Sequence, residues 1–188
     1  MSKGKVLITG GAGFIGSFIA DELLERGYEV RVLDNLTAQV HGDRKGRPPQ
    51  YLNKSVEFVL GDVRDSVAVD RALRGVDFVF HKAAAVGVAQ SMYEIRAYTD
   101  INSMGTAIFL ETLVSKHRDH IQKMIVASSM SIYGEGKYID PANGQAVVPA
   151  PRTPAQLEAG QWDPFVPGTD RVAQPVPCDE TKPLAPTS

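Results

Sequence analysis

A chain of 188 residues with 43% hydrophobic residues and a net charge of −2 has the size and apolar content of one ordinary globular domain, with room for an appendage. That balance gives no reason to expect nucleic acid or a membrane surface as partner, and no apolar run approaches the roughly 20 residues that span a bilayer. Cys178 is alone, which excludes an internal disulfide framework and a cysteine metal site. The chain enters a strand after four residues, leaving no room for a signal peptide, so a cytoplasmic location is expected.

The first predicted element is a strand over Lys5–Thr9, followed at once by the glycine turn Gly10-Gly11-Ala12-Gly13-Phe14-Ile15-Gly16. A helix over Phe14–Arg26 follows, with Ile15, Phe18, Ile19 and Leu23 at helical spacing on one face. A glycine turn alone merely links strand to helix. Placed between a β-branched strand and an amphipathic helix, with an acidic residue ending the next strand, it has the context of a dinucleotide fingerprint. Gly10 suits the tight turn, Gly13 lets backbone approach a pyrophosphate, and Gly16 allows close helix–strand contact. The helix N-terminus offers N–H groups and a positive dipole end to phosphates.

The second strand, Glu29–Leu33, runs into Asp34, whose carboxylate can accept from an adenosine ribose and would repel a 2′-phosphate. NAD is therefore expected over NADP; the plain alternative is a turn aspartate. The basic stretch Gly42–Pro49 reads as a solvated loop or, alternatively, a phosphate contact. A third strand, Val56–Leu60, leads into Gly61-Asp62-Val63, where Asp62 can reach an adenine amino group and Val63 pack on its face. Taken alone, Gly-Asp is equally a good turn.

A short helix over Ser66–Arg74 and a strand over Asp77–His81 come next. The small residues after His81-Lys82, namely Ala83 and Ala84, let backbone pass close beneath a bound cofactor, while His81 itself reads as a structural histidine rather than a base. Ser91–Lys116 is long enough for one or two helices; His117 and His120 read as a solvated helix end, and Met92, Met104, Met124 and Met130 as core filling. The fifth strand, Lys123–Ser128, ends in hydroxyls, Ser128 and Ser129, that are either structural or able to polarise a substrate oxygen. Strands alternating with helices imply an α/β fold, a doubly wound parallel sheet of Rossmann type with strand order 3-2-1-4-5.

After Gly134 the pattern changes. Ten of the twelve prolines lie between Pro141 and Pro186, and only Ala155–Ala159 suggests a helical turn. The expected division is 1–134 for the nucleotide-binding domain, 135–178 for an irregular Pro-rich insertion, and 179–188 for a lead-in to a further region.

The ordered blocks over about residues 3–134 resemble the extended short-chain dehydrogenase/reductases, in their nucleotide-sugar epimerase/dehydratase branch. The resemblance rests on the Gly10–Gly16 turn, Asp34-Asn35, Gly61-Asp62-Val63, His81-Lys82-Ala83-Ala84, Asn102 with Gly105-Thr106, and Ser128-Ser129-Met130-Ser131-Ile132-Tyr133-Gly134. The segments Leu36–Gly42 and Ala84–Ile95 look like those of dTDP-L-rhamnose 4-epimerases. The resemblance implies NAD as cofactor, a nucleotide sugar as substrate and transient oxidation at the sugar C4. It assigns Ser129 to the catalytic serine/threonine position and Asn102 to a structural and cofactor-site asparagine. It adds Phe14, Ile15, Asn35, Lys82 and Ser128 to the cofactor-binding residues read above, and no metal.

Two departures from the family pattern matter. Dehydratases of the branch typically follow the serine position with Asp-Glu, and Met130 and Ser131 stand here, so 4-epimerisation is expected. Some relatives carry cysteine pairs in the later insertion, but with Cys178 alone no zinc knuckle is expected. Family chemistry also needs a Tyr-x-x-x-Lys pair on a helix, the lysine lowering the tyrosine pKa. The one matching string, Tyr133-Gly134-Glu135-Gly136-Lys137, is rejected, because two glycines in one turn cost about 1 kcal/mol each. The residues from Asp179 onward resemble the lead-in to the true motif, so the chain is expected to be truncated and inactive alone. A dehydratase or a non-catalytic dinucleotide-binding module are the alternatives. The complete enzyme is expected to be a homodimer joined through a four-helix bundle.

Overall fold

Alternation along two short strands decides where the core sits. In β1 (Lys5–Thr9), Val6 and Ile8 join one apolar cluster while Leu7 joins another; in β2 (Glu29–Asp34), Val30 and Val32 join the first and Leu33 the second. Strands buried on both faces belong inside a layered α/β fold. The computed structural model describes residues 2–186.

Completing the sheet are β3 (Glu57–Leu60), β4 (Phe78–His81) and β5 (Lys123–Val126), in the order β3-β2-β1-β4-β5 with every pair parallel. This is the expected 3-2-1-4-5 order. Ala20 of α1 (Phe14–Glu25) belongs to the cluster of Val6, Ile8 and Val32. Opposite, α3 (Ser66–Leu73) and Phe109 of α6 (Gly105–Lys116) close over Leu7, Leu33 and Val79. The Asp65 carboxylate caps α3 by accepting from Val67 N at 2.9 Å. Between β2 and β3 lies α2 (Ala38–His41).

Several expectations need correction here. In α1 it is Gly16, Ser17 and Ala20 that are buried, with Ile19 and Leu23 only partly so, while Ile15 and Phe18 lie outward. The glycine turn draws the helix so close to the sheet that only small residues fit beneath its start. Residues 88–116 form four pieces: α4 (Val88–Ser91), α5 (Ile95–Tyr98), a π-helical stretch Thr99–Met104, and α6. Of the four methionines read as core, only Met124 packs against it; Met92, Met104 and Met130 are exposed. Nor is His117 a solvated helix end. It is buried, and its Nε2 lies 2.9 Å from Asp70 Oδ1, tying α6 to α3.

A second compact unit begins at Ser129, not after Gly134, the first ending at Ser128. The expected irregular insertion contains a three-stranded antiparallel sheet, β7-β6-β8, from β6 (Lys137–Ile139), β7 (Ala146–Val147) and β8 (Gln174–Val176). Strands of two or three residues are too short to show periodicity, and β6 pairs with residues nearly forty positions away. Pro175 is tolerated because β8 is an edge strand. The Asp140–Arg171 ion pair, at 2.9 Å, and α7 (Pro154–Glu158), capped by Thr153, complete the unit. Of the lead-in 179–188, residues 187 and 188 lie outside the described residues.

Candidate functional site

Backbone geometry makes the glycine turn what the sequence asks of it. Gly10 sits at φ +66°, and a Cβ there would meet Ala83 Cα at 2.8 Å. A Cβ on Gly16 would lie 2.6 Å from both Gly10 O and Gly11 Cα, so the first turn of α1 rests directly on the strand end. Gly13 opens the helix with no side-chain cap, and no acidic residue occupies the first turn. The N–H groups of that turn and the positive dipole end are therefore available to a diphosphate.

Asp34 is buried at the end of β2. Its Oδ2 accepts from Ala12 N at 3.1 Å and its Oδ1 from Leu36 N at 2.8 Å. A carboxylate offers about four acceptor positions, so roughly two remain, enough for a ribose diol. Asp62 differs. Its Oδ1 takes Arg64 N and Arg64 Nε, both at 2.9 Å, and its Oδ2 takes Asn35 Nδ2 at 2.9 Å and Arg64 Nη2 at 2.8 Å. The Arg64 guanidinium holds this carboxyl far below the usual carboxylate range. With all positions filled, an adenine amino group could bond to Asp62 only by displacing Asn35 or Arg64. Val63, expected on an adenine face, is instead a core residue packed with Leu7, Leu33 and Phe109. The close approach of Gly105, where a Cβ would stand 2.9 Å from Val63 Cγ2, explains its burial.

The basic loop turns back toward the ends of β2 and β3, where residues including Asn35, Leu36, Arg44, Lys45 and Leu60 line an open cavity of about 330 Å³. Within that loop Arg44 Nε donates to His41 O at 2.9 Å.

Beyond β4, the chain is held by side chains. The amides of Lys82 and Ala83 both donate to Thr9 Oγ1 at 3.1 Å. Asn102, on the π-helical stretch, pairs reciprocally with Ala85: Oδ1 accepts from Ala85 N at 2.8 Å and Nδ2 donates to Ala85 O at 3.0 Å. Ala84 between them is exposed. A π-turn displaces side chains from regular spacing and often marks a functional site. Buried His81 stands between the two anchors and stacks on Phe109 at 4.8 Å.

Ser128 is exposed after β5. In the second unit Ser129 caps the 3₁₀ helix Met130–Tyr133, its Oγ accepting from Ser131 N at 3.1 Å and its hydroxyl proton still available. Tyr133 ends that helix and Lys137 opens β6, with Gly134 and Gly136 at φ +67° and +103° between them. They are not an i, i+4 pair on a helix face.

The model of the NAD-dependent epimerase/dehydratase family matches residues 6–155. The chain belongs to that family. Over 186 residues it is 38% identical to a dTDP-L-rhamnose 4-epimerase of Burkholderia thailandensis, covering 98% of this chain and 49% of that protein. A UDP-glucose 4-epimerase of Bos taurus is 35% identical over 145 residues, 72% of this chain and 40% of that one. Among solved structures, Thermus thermophilus UDP-glucose 4-epimerase in complex with NAD superposes with a TM-score of 0.63 and 31% identity, covering 98% and 45% of the two chains. The chain thus spans about half the length of the curated relatives it matches.

Within this epimerase/dehydratase frame, sequence reasoning missed three contributors. Tyr51 Oη donates to Ala12 O at 2.7 Å, clasping the turn from just beyond the basic stretch Gly42–Pro49. His41, its side chain almost wholly buried, brings Nε2 to 3.6 Å from Asp34 Oδ1. Gly11 is a packing glycine, since a Cβ there would meet Val32 Cγ2 at 2.5 Å. No local pattern announces the first two; the third stands in the fingerprint.

Proposed function

We propose that this chain is the NAD-binding portion of a nucleotide-sugar 4-epimerase. One observation carries the reading: an uncapped helix N-terminus above a glycine turn, flanked by a buried carboxylate with acceptor capacity to spare. Gly10, Gly13 and the first-turn amides of Phe14, Ile15 and Gly16 would hold the diphosphate, Asp34 the adenosine ribose, and Ala83, Ala84 and Asn102 the far half of the dinucleotide. The glycines let the start of α1 rest against the strand end, and its uncapped first-turn amides fit a diphosphate. When bound, NAD supplies a reversible two-electron acceptor for the sugar C4 carbinol. Ser129 is the proposed hydroxyl partner of the reacting sugar oxygen.

The 38% relative makes dTDP-L-rhamnose the first substrate to try. Met130 and Ser131 supply neither acid nor base, which favours epimerisation over elimination. For the 188 residues alone we infer dinucleotide binding without turnover, because Tyr133 and Lys137 lie on no common helix. A tuned phenol is then missing, and a serine hydroxyl does not replace it. For the complete enzyme a homodimer is proposed.

Calorimetric titration with NAD and NADP, together with an assay for interconversion of dTDP-rhamnose or UDP-galactose epimers, tests this reading. NAD binding without epimerisation is expected. Turnover lost in Tyr133→Phe or Lys137→Ala would restore the rejected pair, and failure to bind NAD would remove the reading altogether.

A further inference from the structure

The hydroxyls of Thr9 and Thr106 fix the direction of the hydrogen bonds on both sides of the His81 ring. Thr9 Oγ1 accepts from the Ala83 amide and from the Lys82 amide, which it shares with Thr9 O at 3.2 Å, so its own proton goes elsewhere. It lies 2.9 Å from His81 Nδ1, which therefore accepts. On the other side of the ring, Thr106 Oγ1 donates to Asn102 O at 2.6 Å, so it receives at its lone pair from His81 Nε2, 3.1 Å away. Every hydroxyl in the row then donates once, and only one tautomer satisfies it: neutral imidazole with the proton on Nε2. Burial pushes the imidazole pKa down, in agreement.

We propose that His81 is a positioning residue of the cofactor site, a fixed-tautomer link that joins Thr9 beneath the glycine turn to Thr106 and the Asn102 turn. The row runs from the amides of Lys82 and Ala83 through Thr9, His81 and Thr106 to the Asn102 carbonyl. At one end Ala83 sits against Gly10, where no Cβ is tolerated. At the other, the Asn102 side chain clamps both polar groups of the Ala85 backbone. Residues 82–85 are thus held from two sides, and His81 couples the two holds. His81 touches no ligand; it sets the path of the backbone beneath one. An imidazolium would aim a second N–H at an oxygen that already accepts two, so acid breaks the link at Thr9.

This inference rests on the dinucleotide occupying the crevice, so its test has a part independent of cofactor. Long-range ¹⁵N–¹H spectra of the histidine rings at neutral pH should show His81 protonated at Nε2 and bare at Nδ1. A proton on Nδ1, or an imidazolium at neutral pH, overturns the proposal. Because His81 variants risk misfolding, binding is read in Thr106→Val and Thr106→Ser. The valine variant should bind NAD about tenfold more weakly, and the serine variant should recover to within about twofold. Unchanged binding in Thr106→Val overturns the positioning role. If the unmodified chain shows the Nε2–H tautomer yet binds no NAD, the cofactor reading fails and the role falls with it.

Discussion

The Ala12 amide donates to Asp34 Oδ2, so the glycine turn and the acidic end of β2 are one hydrogen-bonded unit rather than two neighbouring motifs. The residue proposed to bind the ribose thus also holds the turn proposed to bind the diphosphate. Asp34→Asn should therefore have two effects. Its amide cannot accept at both positions, which leaves either Ala12 N or Leu36 N facing a donor, at a cost of about 1–3 kcal/mol. Loss of the charge should also shift preference toward NADP by roughly tenfold or more. Parallel titrations of the unmodified chain and Asp34→Asn with both dinucleotides check this; tighter NADP binding by the unmodified chain would contradict the role of Asp34.

Gly16→Ala should be among the most damaging single changes in the turn. Its Cβ would collide with backbone at Gly10 and Gly11, which cannot swing aside as a side chain can. A loss of about 1–3 kcal/mol is expected, with weaker NAD binding in whatever remains folded. Gly27→Ala serves as the control for backbone strain alone, since a Cβ there meets nothing within 4 Å but φ is +85°. If denaturant midpoints and NAD affinities of the two variants fall together, the contact between helix and turn is not what Gly16 protects.

The buried imidazole of His81 makes stability depend on pH in a definite direction. Its pKa is lowered in the folded state, so the unfolded chain binds more protons as pH drops below about 6.5. The stability held by neutral His81 is intact above that value and is lost as pH falls through the folded-state pKa. Urea denaturation from pH 7.5 downward should show the midpoint declining, with a smaller decline in His81→Gln. Equal slopes in the two proteins would exclude His81 as the source.

Self-association is the expected behaviour at high concentration. Met92, Tyr93, Ile95, Met104, Leu110 and Val114 are all exposed along residues 88–116, and Phe14 and Phe18 add an edge-on aromatic pair at 5.4 Å. Uncovered apolar area of this kind favours association. Sedimentation velocity across a concentration series should show mass increasing with concentration. A single monomeric species throughout would count against it, and Val114→Lys should reduce association if α6 contributes.

The sheet was legible because each strand carries β-branched residues and strands alternate with helices, and because the glycine fingerprint follows β1 directly. What escaped was non-local. Tyr51 reaches Ala12 across 39 positions and His117 reaches Asp70 across 47, and no window of sequence joins such partners. Asp62 shows a subtler failure: the residue type fitted adenine recognition, but its neighbour Arg64, two positions on, takes three of its bonds. The small sheet of β6, β7 and β8 escaped because strands of two or three residues show no periodicity and pair with residues distant in sequence.

The placement of β1 at the centre of the sheet, between β2 and β4, has a kinetic consequence. Val6 meets Val30 after one short crossover but must wait for Phe78 before its other edge is covered. Closing the longer loop costs entropy before any pairing repays it. The order of assembly should therefore run from the β1–α1–β2 unit outward, with β4 docking late and carrying His81 and residues 82–85 with it. Hydrogen exchange pulsed during refolding would find the amides of Arg31 and Leu33, which face β1, protected before those of Lys82 and Ala83. On that schedule the proposed diphosphate half of the site forms first, and a nascent chain would complete the glycine turn and the acidic end of β2 before the rest of the crevice exists.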